Sequence, residues 1–209
     1  MDAGIISQLP KIIGVQSEHA DPVYRYYLEP DVKKRKFKPV SVKPSVAQAA
    51  MIGNPVSMPR VINFVDAYNK KSGKQNVFVA QVTEQDIMDW SLLANKHGHI
   101  AFTHGGESLA GLVAAKNQGI LKKDESVVIK STAHPLKFSG FQQMYFESDF
   151  PAEFEIMSNP DLINSPILVQ PKSLKALPSP GKPLQAQEFN AFIETISKKI
   201  ASILNLKNM

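Results

Sequence analysis

The stretch from Val127 to Phe138 limits what this chain can fold into more than any other. Three consecutive β-branched residues, Val127, Val128 and Ile129, favour extended backbone and predict a short buried strand. Pro135 has no amide hydrogen to give to a ladder, so the strand must end before it and Ser131 to His134 must lie in a turn. Such a strand delivers a small hydroxyl and a His-Pro turn to its carboxyl end, where open α/β sheets bind ligands. Taken by spacing alone, the pattern also fits an ordinary strand-end turn.

The preceding residues supply the other elements of such a sheet. Lys11 to Gln16 reads as a buried strand, and Asp21-Pro22 opens a helix with Val23, Tyr26 and Tyr27 on one side, closed by Pro30. Ser45 to Pro55 predicts a short helix of small residues, capped by Ser45 and stopped where Gly53 turns left-handed. A second helix runs from Ser57 through Val61, Phe64, Val65 and Tyr68 to Gly73, and Asn76 to Val82 alternates as a strand. Thr83 to Asp86 resembles a capping box for a helix that carries Ile87, Trp90 and Ala94 on one face and stops at Gly98. His99 to Phe102 is a strand-like approach to a further helix, Thr103 to Leu112. Its glycines suit either anion binding at the helix start or close packing on a sheet through Ala110 and Gly111. Strands alternating with helices predict an α/β fold: an open, mostly parallel sheet with helices on both faces.

Composition removes several chemistries. There is no cysteine, hence no disulfide framework and no thiolate. The 5 histidines show no metal-ligand spacing, so no metal site is expected. Neither the Gly-x-Ser-x-Gly elbow, the GxGxxG turn nor the P-loop occurs. No run of eighteen apolar residues or signal-peptide layout is present, which predicts a cytoplasmic protein without membrane association. A net charge of +5 suits a phosphate-bearing ligand. The basic run Lys33 to Lys38 has no interleaved aromatic platform and reads as a solvated loop, so no nucleic-acid partner is expected.

Beyond Phe138 the character changes. Pro151 to Pro183 holds seven of the 15 prolines, which predicts an extended covering segment anchored by Leu162, Ile167, Leu168 and Val169. Phe189, Phe192, Ile193, Ile196, Ile200, Ile203 and Leu204 then recur at helical spacing as an amphipathic docking helix. The expected organisation is an α/β portion over 1–145, a proline-rich cover over 146–184 and a carboxyl-terminal helix over 185–209.

Three motifs carry a resemblance. Thr132-Ala133-His134-Pro135 with Lys137-Phe138, the segment Ser45 to Pro55 ending Gly53-Asn54-Pro55, and Gln81 to Gly119 together resemble the threonine synthases, fold-type-II pyridoxal-phosphate enzymes. The resemblance covers roughly Ile5 to Met144. In place of the family's acidic-Pro pair before the 103–112 helix stand Phe102 and Thr103, with His104 retained.

The resemblance implies the large-domain half of a fold-type-II enzyme with pyridoxal 5'-phosphate as cofactor, converting O-phosphohomoserine and water to threonine and phosphate. It puts the Thr132 hydroxyl on the cofactor's pyridine nitrogen, with Gly53 and Asn54 lining the pocket. In the family, the cofactor-bearing lysine and the phosphate-cradling glycine loop precede the segment matched by Met1 onward. The resemblance therefore implies no catalytic lysine in this chain, a missing amino-terminal portion as partner, and no activity for this stretch alone. Lys38, in Phe37-Lys38-Pro39, is not given the lysine's role, because Pro39 stands where the family has Asp. A homodimer is compatible with the family. The alternatives are another fold-type-II lyase, such as one making cysteate from phosphoserine, and a non-enzymatic module that kept the scaffold.

Overall fold

The computed structural model describes residues 4–170 and 177–206. Expectations for Met1 to Ala3, for 171–176 in the proline-rich stretch, for 207–209 and for the Phe138 side chain lie outside what is described. Residues up to Asn164 form one compact unit and those from Ser165 a second.

Two strands, β1 (Ile12–Ser17) and β2 (Val77–Val82), pair in parallel, from Ile12 opposite Val77 to Ser17 opposite Val82. Helix α1 (Pro22–Leu28) follows β1 directly, with Pro22 in its first turn. Its free amides are satisfied by the sheet, because the Gln16 side-chain carbonyl accepts from Val23 N at 2.9 Å and Tyr24 N at 3.0 Å. Helix α2 (Met58–Ser72) ends at Gly73, whose φ of 70° is the left-handed value that stops a helix. The Asn69 side chain on α2 then accepts from the backbone amides of Asn76 and Val77 and sets the start of β2.

Helix α3 (Glu84–Lys96) begins at Thr83, whose hydroxyl oxygen accepts from Asp86 N at 3.0 Å. Ile87, Met88 and Leu92 bury its inner face, with Trp90 half-buried beside them. Helix α4 (Thr103–Asn117) is wedged between α3 and the sheet by its small residues. A Cβ at Gly106 would lie 2.2 Å from the Ile87 carbonyl oxygen, and one at Gly111 would lie 2.2 Å from a Val15 methyl on β1. Of the two readings for this helix, close packing on the sheet is the one its residues adopt. Val15 faces α4 while its neighbour Gln16 faces α1. Successive strand residues point to opposite faces, so helices cover both faces of the sheet.

The architecture is thus α/β with a parallel sheet, but a small one. The strand expected over Val127 to Ile129 is absent, as is the strand-like approach at 99–102. Val128 is 98% exposed, and no third described strand offers the ladder that β-branched backbone needs. The segment runs instead along α4, where Ser108 Oγ donates to the Lys130 carbonyl at 3.1 Å. The helix expected over 45–52 shrinks to a single 3-10 turn, Gln48–Ala50. Its backbone is held by other partners: Val46 N donates to Glu84 Oε2 at 2.7 Å, and Val40 N donates to the Gly53 carbonyl at 2.9 Å.

Helix α5 (Ser139–Glu147) carries the fully buried Tyr145, whose hydroxyl donates to Asp89 at 2.5 Å and accepts from Asn159 N at 2.9 Å. The chain after it packs back on α3: Gln85 exchanges two hydrogen bonds with the Met157 backbone, and Phe141, Phe150 and Phe154 form an aromatic cluster. Leu162 is buried as its apolar character predicted, whereas Ile167 and Leu168 are exposed. In the second unit, helix α6 (Ala186–Ile203) opens with a capping box between Gln185 and Glu188 and covers most of the expected amphipathic stretch. Among the described residues, no helix is long and apolar enough to cross a membrane.

Candidate functional site

The carboxyl ends of β1 and β2 carry a buried polar node. β1 ends at Ser17 and β2 runs into Glu84, the first residue of α3, so both side chains arrive at the same edge of the sheet. Glu84 is 1% exposed, and an ionised carboxylate at such depth needs full hydrogen bonding. It has it: Ser17 Oγ and Ser45 Oγ donate to Oε1, and Val46 N donates to Oε2. Ser17 Oγ also accepts from His19 N at 3.0 Å, and Ser45 Oγ accepts from Ala47 N at 2.9 Å. The Ser45 expected as a helix cap is therefore a ligand of Glu84 that also closes a local turn.

The first turn of α4 faces this node. Glu107 is 7% exposed, and Glu107 Oε1, Thr103 Oγ1 and His104 Nδ1 are all buried without hydrogen-bond partners. Burial, with the Glu84 charge adding to it, pushes the Glu107 carboxyl up to about 7, against the Ser17 backbone N–H that favours its ionised form. A carboxyl poised near neutrality at a strand's carboxyl end can take up or release a proton at physiological pH.

On the other side of α4 lies a mostly apolar cavity of about 630 Å³, between Trp90, Leu93 and His97 of the α3 end and Ile129 and Ser131. That volume lies in the range of small-molecule sites. Ser131 packs so closely that a Cβ at Gly105 would come 2.8 Å from its hydroxyl oxygen.

The residues singled out in the sequence fall in different places. Thr132 follows the cavity wall; it is exposed and makes no hydrogen bond among the described residues. His134 caps the 3-10 turn Pro135–Phe138, accepting from Leu136 N at 3.2 Å. Gly53 is buried, and a Cβ there would lie 2.2 Å from the Val40 carbonyl oxygen, so this position needs glycine for chain packing. Asn54 beside it is exposed. Neither Gly53, Asn54 nor Thr132 lines the cavity. Glu84, Glu107 and His19 were not singled out from sequence. Glu107 had a readable signal, since it shares the i, i+4 row of α4 with Thr103 and Gly111, the row that packs inward.

The profile of the family described as pyridoxal-phosphate dependent enzyme matches residues 3–132. The chain belongs to that family. The family's cofactor is pyridoxal 5'-phosphate, and the matched region ends on Thr132.

Similar proteins are threonine synthases. Threonine synthase 2, chloroplastic, of Arabidopsis thaliana is 31% identical over 138 residues, 66% of this chain and 25% of that protein. The threonine synthase of Methanocaldococcus jannaschii is 32% identical over 135 residues, 64% of this chain and 31% of its own. That of Mycobacterium tuberculosis is 28% identical over 134 residues, covering 64% and 32%. The chain thus spans between a quarter and a third of the length of these relatives. In two respects its residues fit a phosphate-bearing aromatic cofactor: the Thr132 hydroxyl is exposed and unengaged, and the net charge is +5.

Proposed function

We propose that this chain is the carboxyl-terminal part of a threonine synthase, a carbon–oxygen lyase that converts O-phosphohomoserine and water to threonine and phosphate. The observation that carries the reading is the run of relatives named threonine synthase aligned over about two thirds of the chain, joined to the Thr132-Ala133-His134-Pro135 turn. Bound pyridoxal phosphate supplies an electron sink for the substrate's reacting carbon. This chain's part is to hold and tune it. The Thr132 hydroxyl would donate a hydrogen bond to the pyridine nitrogen, with Gly53 and Asn54 beside the cofactor. A hydroxyl is no counter-ion, so it leaves that nitrogen less charged than a carboxylate would.

In this reading, activity needs the lysine-bearing portion that the family provides. The test is cofactor absorbance, together with phosphate and threonine release from O-phosphohomoserine. Both are measured on this chain alone and on this chain supplied with the lysine-bearing portion of a threonine synthase. Activity in the supplemented sample supports the assignment. Cysteate formed from phosphoserine and sulfite, with no threonine from O-phosphohomoserine, replaces it with a related lyase; no cofactor absorbance in either sample favours a non-enzymatic module. Thr132→Val in the active sample is expected to shift the absorbance and cut turnover about tenfold or more, the loss of one hydrogen bond to the reacting system, with thermal stability unchanged. Unchanged turnover would remove Thr132 from the cofactor.

A further inference from the structure

Where the chain leaves β1, Glu18 and His19 meet Glu155, which arrives from far along the sequence. One ligand atom from each of the three lies within 4.8 Å of the other two. His19 decides what the cluster can do. Its side chain is 1% exposed, and Nδ1 stands 2.6 Å from the Pro44 carbonyl oxygen. A carbonyl only accepts, so Nδ1 carries a proton, and in the neutral ring Nε2 presents a lone pair.

That Nε2 is buried, without a hydrogen-bond partner, and 3.8 Å from Glu155 Oε1. The gap is too long for a hydrogen bond. It is close to the roughly 3.4 Å that separates two ligand atoms in a tetrahedral zinc shell with bonds of about 2.1 Å. With the ring neutral, a lone pair and two carboxylates converge. A backbone carbonyl fixing the distal nitrogen is also how metal-binding histidines are commonly oriented.

We propose that Glu18, His19 and Glu155 bind a divalent transition-metal ion of the zinc type. His19 Nε2 and the two carboxylates are its ligands, and a remaining position is open to solvent. Imidazole with carboxylate suits zinc and its first-row neighbours better than magnesium or calcium. The ion ties the turn after β1 to the turn that presents Glu155, whose φ of 57° is a left-handed conformation unusual outside glycine. Lys43 Nζ, 2.9 Å from Glu155 Oε1, holds that carboxylate in place and competes with the ion for it. The site is separate from the cofactor reading and does not rest on it.

The test is titration of the chelator-treated 209-residue chain with Zn²⁺ by calorimetry, with Co²⁺ visible absorption as a second probe of nitrogen and oxygen ligation. One ion per chain is expected. Glu155→Gln, at an exposed position that tolerates the change, should weaken binding about tenfold or more, since even outer-sphere partners are worth that much. Lys43→Met should strengthen it by removing the competing cation. His97 and His99 are the alternative imidazole pair, so the His97→Asn, His99→Asn double variant must retain the wild-type affinity. No saturable binding at millimolar Zn²⁺, equal affinity in Glu155→Gln, or loss of binding with His97 and His99 would each overturn the proposal.

Discussion

The node at the ends of β1 and β2 and the segment Val127 to His134 are opposites. In the node, residues from two separate stretches of chain converge on Glu84, and the carboxylate is wholly buried. The later segment carries the plainest motif in the sequence yet has no regular structure, with Val128 98% exposed. Order comes from neighbours, which the node has, whereas the 127–134 segment has no partner strand among the described residues. β-Branched residues make a strand only where another strand accepts the ladder.

Breaking the node should therefore have the largest effect. Glu84→Ala removes the common acceptor of Ser17 Oγ, Ser45 Oγ and Val46 N and leaves three buried donors unsatisfied. At about 1–3 kcal/mol per orphaned group, partly relieved by relaxation, a loss of roughly 4 kcal/mol is expected in urea unfolding. A loss below about 1 kcal/mol would mean that the node does not hold the turn after β1 against the 45–47 segment.

The same contrast explains what could be read in advance. β1, α1, α2, β2, α3, α4 and α6 were legible because period-two and period-3.6 patterns and caps such as Thr83 are local. The 45–52 helix and the 127–129 strand were not, because their outcome depends on distant partners: Glu84 takes the amide of Val46, and no third described strand pairs with Val127 to Ile129. Neither Glu18 nor His19 shows any metal-ligand spacing, and their partner Glu155 is brought to them only by tertiary folding. Thr132, Gly53 and Asn54 were assigned only through the resemblance, since nothing in their own spacing brings them together.

Helix α4 packs against both regions. Gly106→Ala sets a methyl 2.2 Å from the Ile87 carbonyl oxygen, a backbone atom that cannot swing aside. About 3 kcal/mol of destabilisation is expected from prising α4 off α3. Gly140→Ala, with open space around its Cβ position, is the control and should change stability by less than about 0.5 kcal/mol.

Glu107 tests the electrostatics of the node through pH. Its folded-state value of about 7 lies above the ordinary 4.5, so between those values the folded chain holds a proton that the unfolded chain has lost. Stability should fall as pH rises through that window and level off above about pH 7. Glu107→Gln can still accept from the Ser17 amide but cannot ionise. It should flatten the profile, matching the parent near pH 4.5 and exceeding it at pH 8 by at most roughly 3 kcal/mol. Chemical denaturation across that range decides it; parallel profiles would mean that Glu107 is ionised in the fold.

The smallest effect belongs to the other region. Val128→Thr keeps the β-branch and replaces an exposed methyl with a hydroxyl, at a residue that packs on almost nothing in this fold. A change within about 0.5 kcal/mol is expected for the chain alone. If the proposed assembly with a lysine-bearing portion completes the sheet and gives this segment a neighbouring strand, the same substitution becomes a buried one. Its cost should then rise to about 1 kcal/mol or more, because a hydroxyl without a partner is placed in an apolar layer. Measuring the variant in both settings separates two meanings of the exposed Val128. A cost that appears only in the assembly identifies Val127 to Ile129 as a strand awaiting its ladder. A cost that stays negligible identifies it as a loop whose β-branched residues serve only to stiffen the approach to Thr132.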